Sequence, residues 1–587
     1  MSMSNDGLSY WQAESEGSDL LDITIGDLLD RRAEEFPDKE ALVYSCYPEF
    51  GAALDIRWTY RDYHERVNAV AKGLMALGLG KGDHIAVWAA NLPQWPLLQL
   101  AAAKAGLVLV TINPVLRVAE VEYILKQGDI RALFFMARVR EHDCLATIRS
   151  LVTAGKQQGE VTSERLPLLR SVCLLCTPPV DRVQQEDWRP LLFNELVTSG
   201  KQISEVALRE RQTSVTPFDP TMIIYTSGTT GFPKGTLLTH HGLINNAHLL
   251  AKRWGTNQDT RMAVLVPFFH AMGCVASVLA TLCLGCSLHP LLAFDPLKAL
   301  RIISSERCTF LSGTPTMITA IMQHPAVSTY DLSSLQLIGT GGAPVPVALM
   351  EQVKKDIGAD VFIGFGQTEA TCGITATLSD DTFELKAATV GIPLPHTEVK
   401  IIDADTGVVL PVGERGELCC RGYLVMTAYY KMPEKTAEAI DAEGWLHTGD
   451  LATMDERGYV KIVGRLKDMV IRGGENLFPR EIEEFLIRHP KVADVQVVGV
   501  PDAFFGEELL AVVIPKQGEQ LSERELRTYC KGQISHQKIP RYFQFVTSYP
   551  LTGSGKVQKF MLRENAIKAW DLEILHKKGV VVGLSKP

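Results

Sequence analysis

The chain has no long basic run, and its 587 residues carry a formal net charge of -9. That balance argues against a nucleic-acid surface, which takes much of its affinity from a basic face. A local basic funnel for an anionic nucleotide is still compatible with it. No apolar stretch reaches membrane-spanning length, since Leu97–Val110 is broken by Lys104 and Gly106. The start, Met1–Asp22, is acidic and polar, without the basic region and apolar core of a secretory signal. The end, Gly583–Pro587, carries no lipidation address. The 12 cysteines follow no framework spacing. Cys173 and Cys176 form a CxxC, but inside an apolar run and without a second pair or a histidine cluster. Two buried thiols in a strand are therefore expected, not a zinc or redox centre. Cys419-Cys420 also reads as strand, and a reducing, cytoplasmic location is expected.

What is present is a long alternation of helix and strand patterns. The length suggests several structural units. Thr59 can cap a helix whose apolar positions Val67, Val70, Ala71 and Leu74 recur at helical spacing, with Gly78 and Gly82 beyond its end. His84–Trp88 then reads as a buried strand, Gln94–Ala105 as a helix and Leu107–Ile112 as a strand. This rhythm continues to about residue 375 and implies layered α/β structure. Gly155–Arg165 is polar and reads as a surface loop. Around 390–464 short β-rich runs lie between Gly, Pro and Asp turns, which suggests a β-rich subdomain. Beyond it comes a compact α+β texture: helix Pro479–Arg488, strands Val492–Val500 and Leu509–Ile514, a Ser522-x-x-Glu525 capping box, and strand Tyr542–Val546. The expected organisation is a large N-terminal domain over 1–464, a hinge at 465–468 and a small mobile C-terminal domain over 469–587.

The sharpest local signal is Thr226-Ser227-Gly228-Thr229-Thr230-Gly231-Phe232-Pro233-Lys234-Gly235. It follows the apolar run Met222–Tyr225 and precedes a segment that reads as helical from near Leu237. A polyphosphate needs many donors on a concave surface. Here glycines let backbone N–H groups approach, and four hydroxyls and one ammonium add to them. The spacing is not that of a Walker loop.

This loop resembles the signature of the adenylate-forming superfamily of acyl-CoA synthetases, firefly-type luciferases and peptide-synthetase adenylation domains. The resemblance runs from about Trp58 to Lys556, with further motifs in order, and is nearest to the medium-chain acyl-CoA synthetases. It implies that Thr226, Ser227, Gly228, Thr229, Thr230, Gly231 and Lys234 hold the phosphates of ATP. Gly341 and Gly342, in Gly-Gly-Ala-Pro, would lie against adenine and the acyl entrance. In Gly364-Phe365-Gly366-Gln367-Thr368-Glu369, the resemblance has Phe365 pack on adenine where Tyr is common, Thr368 bond the α-phosphate and Glu369 hold Mg2+. Trp blocks the position of Gly366 in short-chain acetyl-activating relatives, so Gly366 implies an open acyl tunnel.

Asp450, in Trp445–Asp450, and Arg465 would contact the ribose, since a carboxylate can accept from two hydroxyls at once. Lys467 occupies the hinge position, and Gly473 and Gly474 belong to the loop that lines the pantetheine channel of CoA. His270 matches a position near the meeting point of acyl group and thiol. Lys556, on a glycine-rich loop, matches the adenylation lysine. The implied reaction joins a medium-chain or other apolar carboxylic acid to CoA through an acyl-adenylate, releasing AMP and pyrophosphate. An adenylating enzyme that loads a separate carrier protein shares these motifs. The expected partners are small molecules, with no nucleic acid and no integral membrane segment, and a homodimer is among the assemblies open to it.

Overall fold

The computed structural model describes residues 7–572, except 16, 18, 48–53, 140, 176–188, 227–232, 344, 474, 552–556 and 571. The fold is mixed α/β, with a large N-terminal and a smaller C-terminal part. Contacts divide it into two units. Trp11–Val399 and Cys420–Leu446 form the first, and Lys400–Cys419, His447 onward and residues 7–10 form the second.

Among the described residues, the first unit holds two large sheets. One runs in the order Leu191–Leu192, Ser171–Leu175, Ile130–Met136, His84–Trp88, Val108–Ile112, Pro220–Thr226, Lys234–Thr239 and Ala428–Tyr429. Its strands are parallel up to Pro220–Thr226, and the last two pairings are antiparallel. Strands covered on both faces should read as unbroken apolar runs. His84–Trp88 and Val108–Ile112 do so, with every residue buried. The other sheet has parallel neighbours Asp360–Phe365, Leu337–Gly341, Phe310–Ser312, Arg261–Val264, Ser287–Pro290 and Glu40–Tyr44, and antiparallel strands at both edges.

Local chemistry sets the helix boundaries. Thr59 caps Tyr60–Ala76 as expected, in a reciprocal capping box with Asp62. Gln94–Lys104 is mostly apolar on every side and is buried from Trp95 onward, with the buried Lys104 ion-paired to Asp30. The stretch 155–165 is not simply a loop. Val161–Thr162 pairs with Thr153–Ala154, and Val161 and Leu166 are drawn into the core beside Ile148 and Val172.

In the second unit, Val492–Asp502 and Gly506–Pro515 form a long antiparallel pair, flanked by Val470–Arg472 and Tyr542–Phe545. Helices Pro479–Leu486 and Glu523–Cys530 cover one face through Ile482, Leu486, Leu526 and Cys530. Leu562 and Ala566 of Lys559–Ala569 pack with Val498, Val500, Leu510 and Val512, the alternate residues of the same strands. The strands near 400–419 and 447–465 count with this unit.

Candidate active site

In parallel α/β sheets, ligands gather at the carboxyl ends of the strands. The strand Pro220–Thr226 ends there at Thr226, and the chain returns antiparallel as Lys234–Thr239, with Thr226 opposite Lys234. The helical reading from near Leu237 is thus corrected. The segment is a strand because Gly235 and Thr236 pair with Tyr225 and Ile224, and the helix starts at His240, capped by Thr239. Residues 227–232, which include Ser227, Gly228, Thr229, Thr230 and Gly231, lie outside the described residues.

Glu369 accepts from one end of that loop and from a neighbouring strand. Thr226 Oγ1 donates to Glu369 Oε1 at 3.3 Å, and Tyr429 Oη donates to the same oxygen at 2.8 Å. Lys234 Nζ sits 4.0 Å above the centre of the Tyr429 ring. Burial lowers the Lys234 pKa, and the Glu369 charge opposes that shift in part. Burial, with the Glu369 charge adding to it, pushes the Tyr429 phenol far up, so it remains a donor. The backbone of Glu369 is held too, because its carbonyl accepts the Met426 N–H at 2.8 Å.

The segment after Phe365 is tightly specified. Thr368 is buried in a short 3-10 turn, Thr368–Ala370. Thr371 stands at φ 65°, a strained position for a β-branched residue. Its hydroxyl is fixed to the Leu424 carbonyl at 2.6 Å. Asn246, fully buried, clamps Gly373 by donating to its carbonyl at 2.7 Å and accepting its N–H at 2.8 Å. Such over-determination is what allows local strain to persist.

Gly366 has a packing reason of its own. A Cβ there would lie 1.7 Å from the Cys372 carbonyl oxygen and 2.8 Å from the Gly373 Cα. Gly366→Ala is therefore expected to destabilise the first unit by about 3 kcal/mol, the upper range for overpacking. Denaturant midpoints of the two proteins would check this, and an unchanged midpoint would remove the steric argument. Gly341 is similarly confined, with its Cβ direction 2.3 Å from the Gly364 carbonyl oxygen. Trp254 lies along the same side-chain-free edge, next to Gly339 and Gly364, and stacks on Phe310. Phe365 is half-buried and Gly342 exposed. His270 caps the turn Ala271–Gly273, with Nδ1 accepting the Met272 N–H at 3.4 Å.

In the second unit, strand register places Asp450 opposite Arg465, and Arg465 Nε donates to Asp450 Oδ1 at 2.7 Å. The Asp450 side chain is nearly fully buried. Lys467 is exposed in the 3-10 turn Leu466–Asp468. Arg472 is tied to the buried Glu508 at 2.8 Å, which anchors the hairpin bearing Gly473. Gly474 and Lys556 lie outside the described residues.

Sequence reasoning placed Asn246 and Trp254 only within the segment His241–Trp254, expected to line the acyl pocket, and missed Tyr429. Tyr429 lies 60 residues from Glu369 and meets it only because Ala428–Tyr429 pairs with Lys234–Thr239. No local pattern announces that pairing.

Side-chain-free positions at Gly339, Gly341 and Gly364 of a parallel sheet, in the same unit as a carboxylate that accepts from Thr226 at the start of a glycine-rich segment, suit an enzyme that handles nucleotides. A family model described as AMP-binding enzyme matches residues 29–430, and a second, AMP-binding enzyme C-terminal domain, matches 481–556. The chain belongs to this AMP-binding family of adenylate-forming enzymes. YngI of Bacillus subtilis (strain 168), whose name places it among acyl-CoA synthetases, is 44% identical over 94% of this chain and 99% of its own length. The human medium-chain acyl-CoA ligase ACSF2, mitochondrial, is 40% identical over 95% of this chain and 90% of its own. Among solved structures, ATP-bound MatB from Rhodopseudomonas palustris matches with a TM-score of 0.78 at 28% identity, covering 93% of this chain and 100% of that one. The anthranilate CoA ligase AuaEII in complex with anthranoyl-AMP matches with a TM-score of 0.79 at 26% identity, covering 95% and 100%. No described helix is long and apolar enough to cross a membrane.

Proposed function

We propose that this chain is an ATP-dependent acid–CoA ligase, converting a carboxylic acid, ATP and CoA to acyl-CoA, AMP and pyrophosphate through an acyl-adenylate. The observation that carries this reading is the bonding of Thr226 and Tyr429 to Glu369, with Lys234 over the Tyr429 ring, in a chain whose relatives are named for acyl-CoA formation. Those names also favour CoA over a carrier protein as acceptor.

The acid's carboxylate must attack an α-phosphate that is already anionic. The Lys556 ammonium neutralises that meeting point, and Thr368 orients the phosphate. Lys234 and Thr226 hold the departing pyrophosphate with the loop between them. Glu369 suits magnesium, being a hard oxygen donor that keeps lone-pair capacity beyond the hydrogen bonds it accepts. Magnesium, when bound, supplies charge neutralisation on the phosphates. Phe365 and the Gly341-Gly342 edge take the adenine. Asp450, fixed by Arg465, accepts from the ribose hydroxyls. In the second half-reaction the CoA thiol attacks the acyl carbonyl near His270 and AMP leaves. Turning of the C-terminal domain, 469–587, about the 465–468 hinge at Lys467 withdraws Lys556 and presents Gly473 and Gly474 to the pantetheine.

The acid is apolar and of medium chain length. The helix His240–Arg253 and the segment 271–279 contain buried glycines and buried Ala, Val, Leu and Ile side chains, a composition that suits an alkyl tail. None of the described cysteines is in a disulfide, which supports a reducing, cytoplasmic setting. A panel of acids, graded by chain length and including cyclic and aromatic members, assayed by AMP release with CoA present, tests the reading. A medium-chain optimum that depends on CoA is expected. Turnover of short polar acids alone, or release of AMP indifferent to CoA, would overturn it.

The lowered pKa of Lys234 has a kinetic signature. The charged form binds phosphate, so kcat/KM for ATP should fall on the alkaline side below the ordinary lysine value of about 10.4. Lys234→Arg should move that limb upward. An identical pH profile in the variant would show that another group titrates.

A further inference from the structure

We propose that Glu417, Cys419 and His447 form a binding site for a soft divalent cation, with Zn2+ the best fit, separate from the magnesium ligand Glu369. All three residues belong to the second unit, and one donor atom from each lies within 4.8 Å of the others. Glu417 and Cys419 are alternate residues of the strand Gly416–Gly422, so they project from the same face of the sheet. His447 comes from the neighbouring strand Leu446–Met454. Its Nδ1 lies 2.9 Å from Glu417 Oε2 and 3.6 Å from Cys419 Sγ.

Two features distinguish this from a catalytic thiol. A nucleophile–base–acid relay uses the two imidazole nitrogens in series. Here the carboxylate and the sulfur converge on one nitrogen. Zinc bonds of about 2.3 Å to sulfur and about 2.0–2.2 Å to nitrogen and oxygen, set tetrahedrally, separate the ligand atoms by about 3.4–3.6 Å. The sulfur–nitrogen separation of 3.6 Å already matches, the nitrogen–oxygen separation of 2.9 Å has to open by about half an ångström, and the sulfur–oxygen separation lies within the 4.8 Å that encloses all three atoms. The mixed S/N/O donor set selects against magnesium, which takes oxygen ligands. The setting is rigid on one side and open on the other. Cys419 is fully buried and Glu417 is 7% exposed, whereas the His447 side chain is 30% exposed, which leaves an entry path and room for water as a fourth ligand.

Glu417 Oε1 also accepts the Gly449 N–H at 3.0 Å, and Thr448 Oγ1 donates to the Leu418 carbonyl at 2.6 Å. These bonds pre-set the ligands against each other and tie the site to the part of the strand Leu446–Met454 just before Asp450. On binding, the Cys419 thiol gives up its proton to solvent, and the ring N–H of His447 resides on Nε2 so that the Nδ1 lone pair faces the cation.

The test uses the full-length, reduced protein and Co2+ as a spectroscopic probe, followed by Zn2+ displacement. One equivalent of Co2+ should produce tetrahedral d–d absorption and a thiolate-to-metal charge-transfer band, both removed by Zn2+. Cys419→Ser should abolish the charge-transfer band and weaken Zn2+ by at least about tenfold in chelator competition, while CoA-dependent AMP release in chelator-treated buffer stays at the wild-type level. His447→Asn should also weaken Zn2+, and it serves as a second variant if Cys419→Ser folds poorly. A wild-type protein without the charge-transfer band, or variants that bind Zn2+ as tightly as wild type, would overturn the site. Neither readout depends on adenylation, so failure here is distinct from failure of the proposed activity.

Discussion

Lys556→Ala is expected to lower acyl-adenylate formation by about a thousandfold while leaving CoA attack on preformed acyl-adenylate nearly unchanged. The first half-reaction brings two anions to contact, and the second does not. A unit charge about 4 Å from the α-phosphate, in a site of effective dielectric near 20, is worth about 4 kcal/mol. At about 1.4 kcal/mol per decade, that is close to three orders of magnitude. Once the mixed anhydride exists, the attacking thiol and the acyl carbonyl need no cation from this loop. ATP–pyrophosphate exchange measures the first step, and thioester formation from synthetic acyl-AMP measures the second. Equal losses in both would refute the assigned role. So would retention of exchange.

Glu369→Gln should lower kcat/KM for ATP by about a hundredfold and raise the Mg2+ concentration needed for half-maximal rate. The amide is isosteric, and its carbonyl oxygen still accepts from Tyr429 and Thr226, so the fold around the loop should survive. What disappears is the negative charge that, on the proposed reading, would anchor the metal, and metal-borne stabilisation of several kcal/mol is at stake. Tyr429→Phe is the informative companion. It removes one neutral donor to the carboxylate, and its cost should be nearer tenfold. A magnesium titration of the three proteins in the pyrophosphate-exchange assay decides the matter. If Glu369→Gln kept the wild-type Mg2+ dependence, the metal would have to be held elsewhere.

Much of this protein could be read along the chain, because the signals involved are short-range. Thr59 with Asp62 makes its capping box within four residues. The buried parallel strands announce themselves as unbroken apolar runs. The proposed phosphate loop, Thr368-Glu369, Asp450 and Arg465 were each assigned from a compact motif whose residue types suit the proposed chemistry. The helical reading from near Leu237 fails over 237–239, where the chain is strand, since the partner strand Pro220–Thr226 lies across a loop and the pairing outweighs local propensity.

The amino-acid order by itself determined the α/β class, the sequence of motifs and the type of chemistry, since these depend on residue identity and on spacings of a few positions. Only the tertiary structure decided that Tyr429 touches Glu369, that the backbone of Cys372 closes the space beside Gly366, and that Glu417, Cys419 and His447 share one corner. These last contacts follow from sheet register and chain crossing between distant segments, and a helical or strand period carries no information about either.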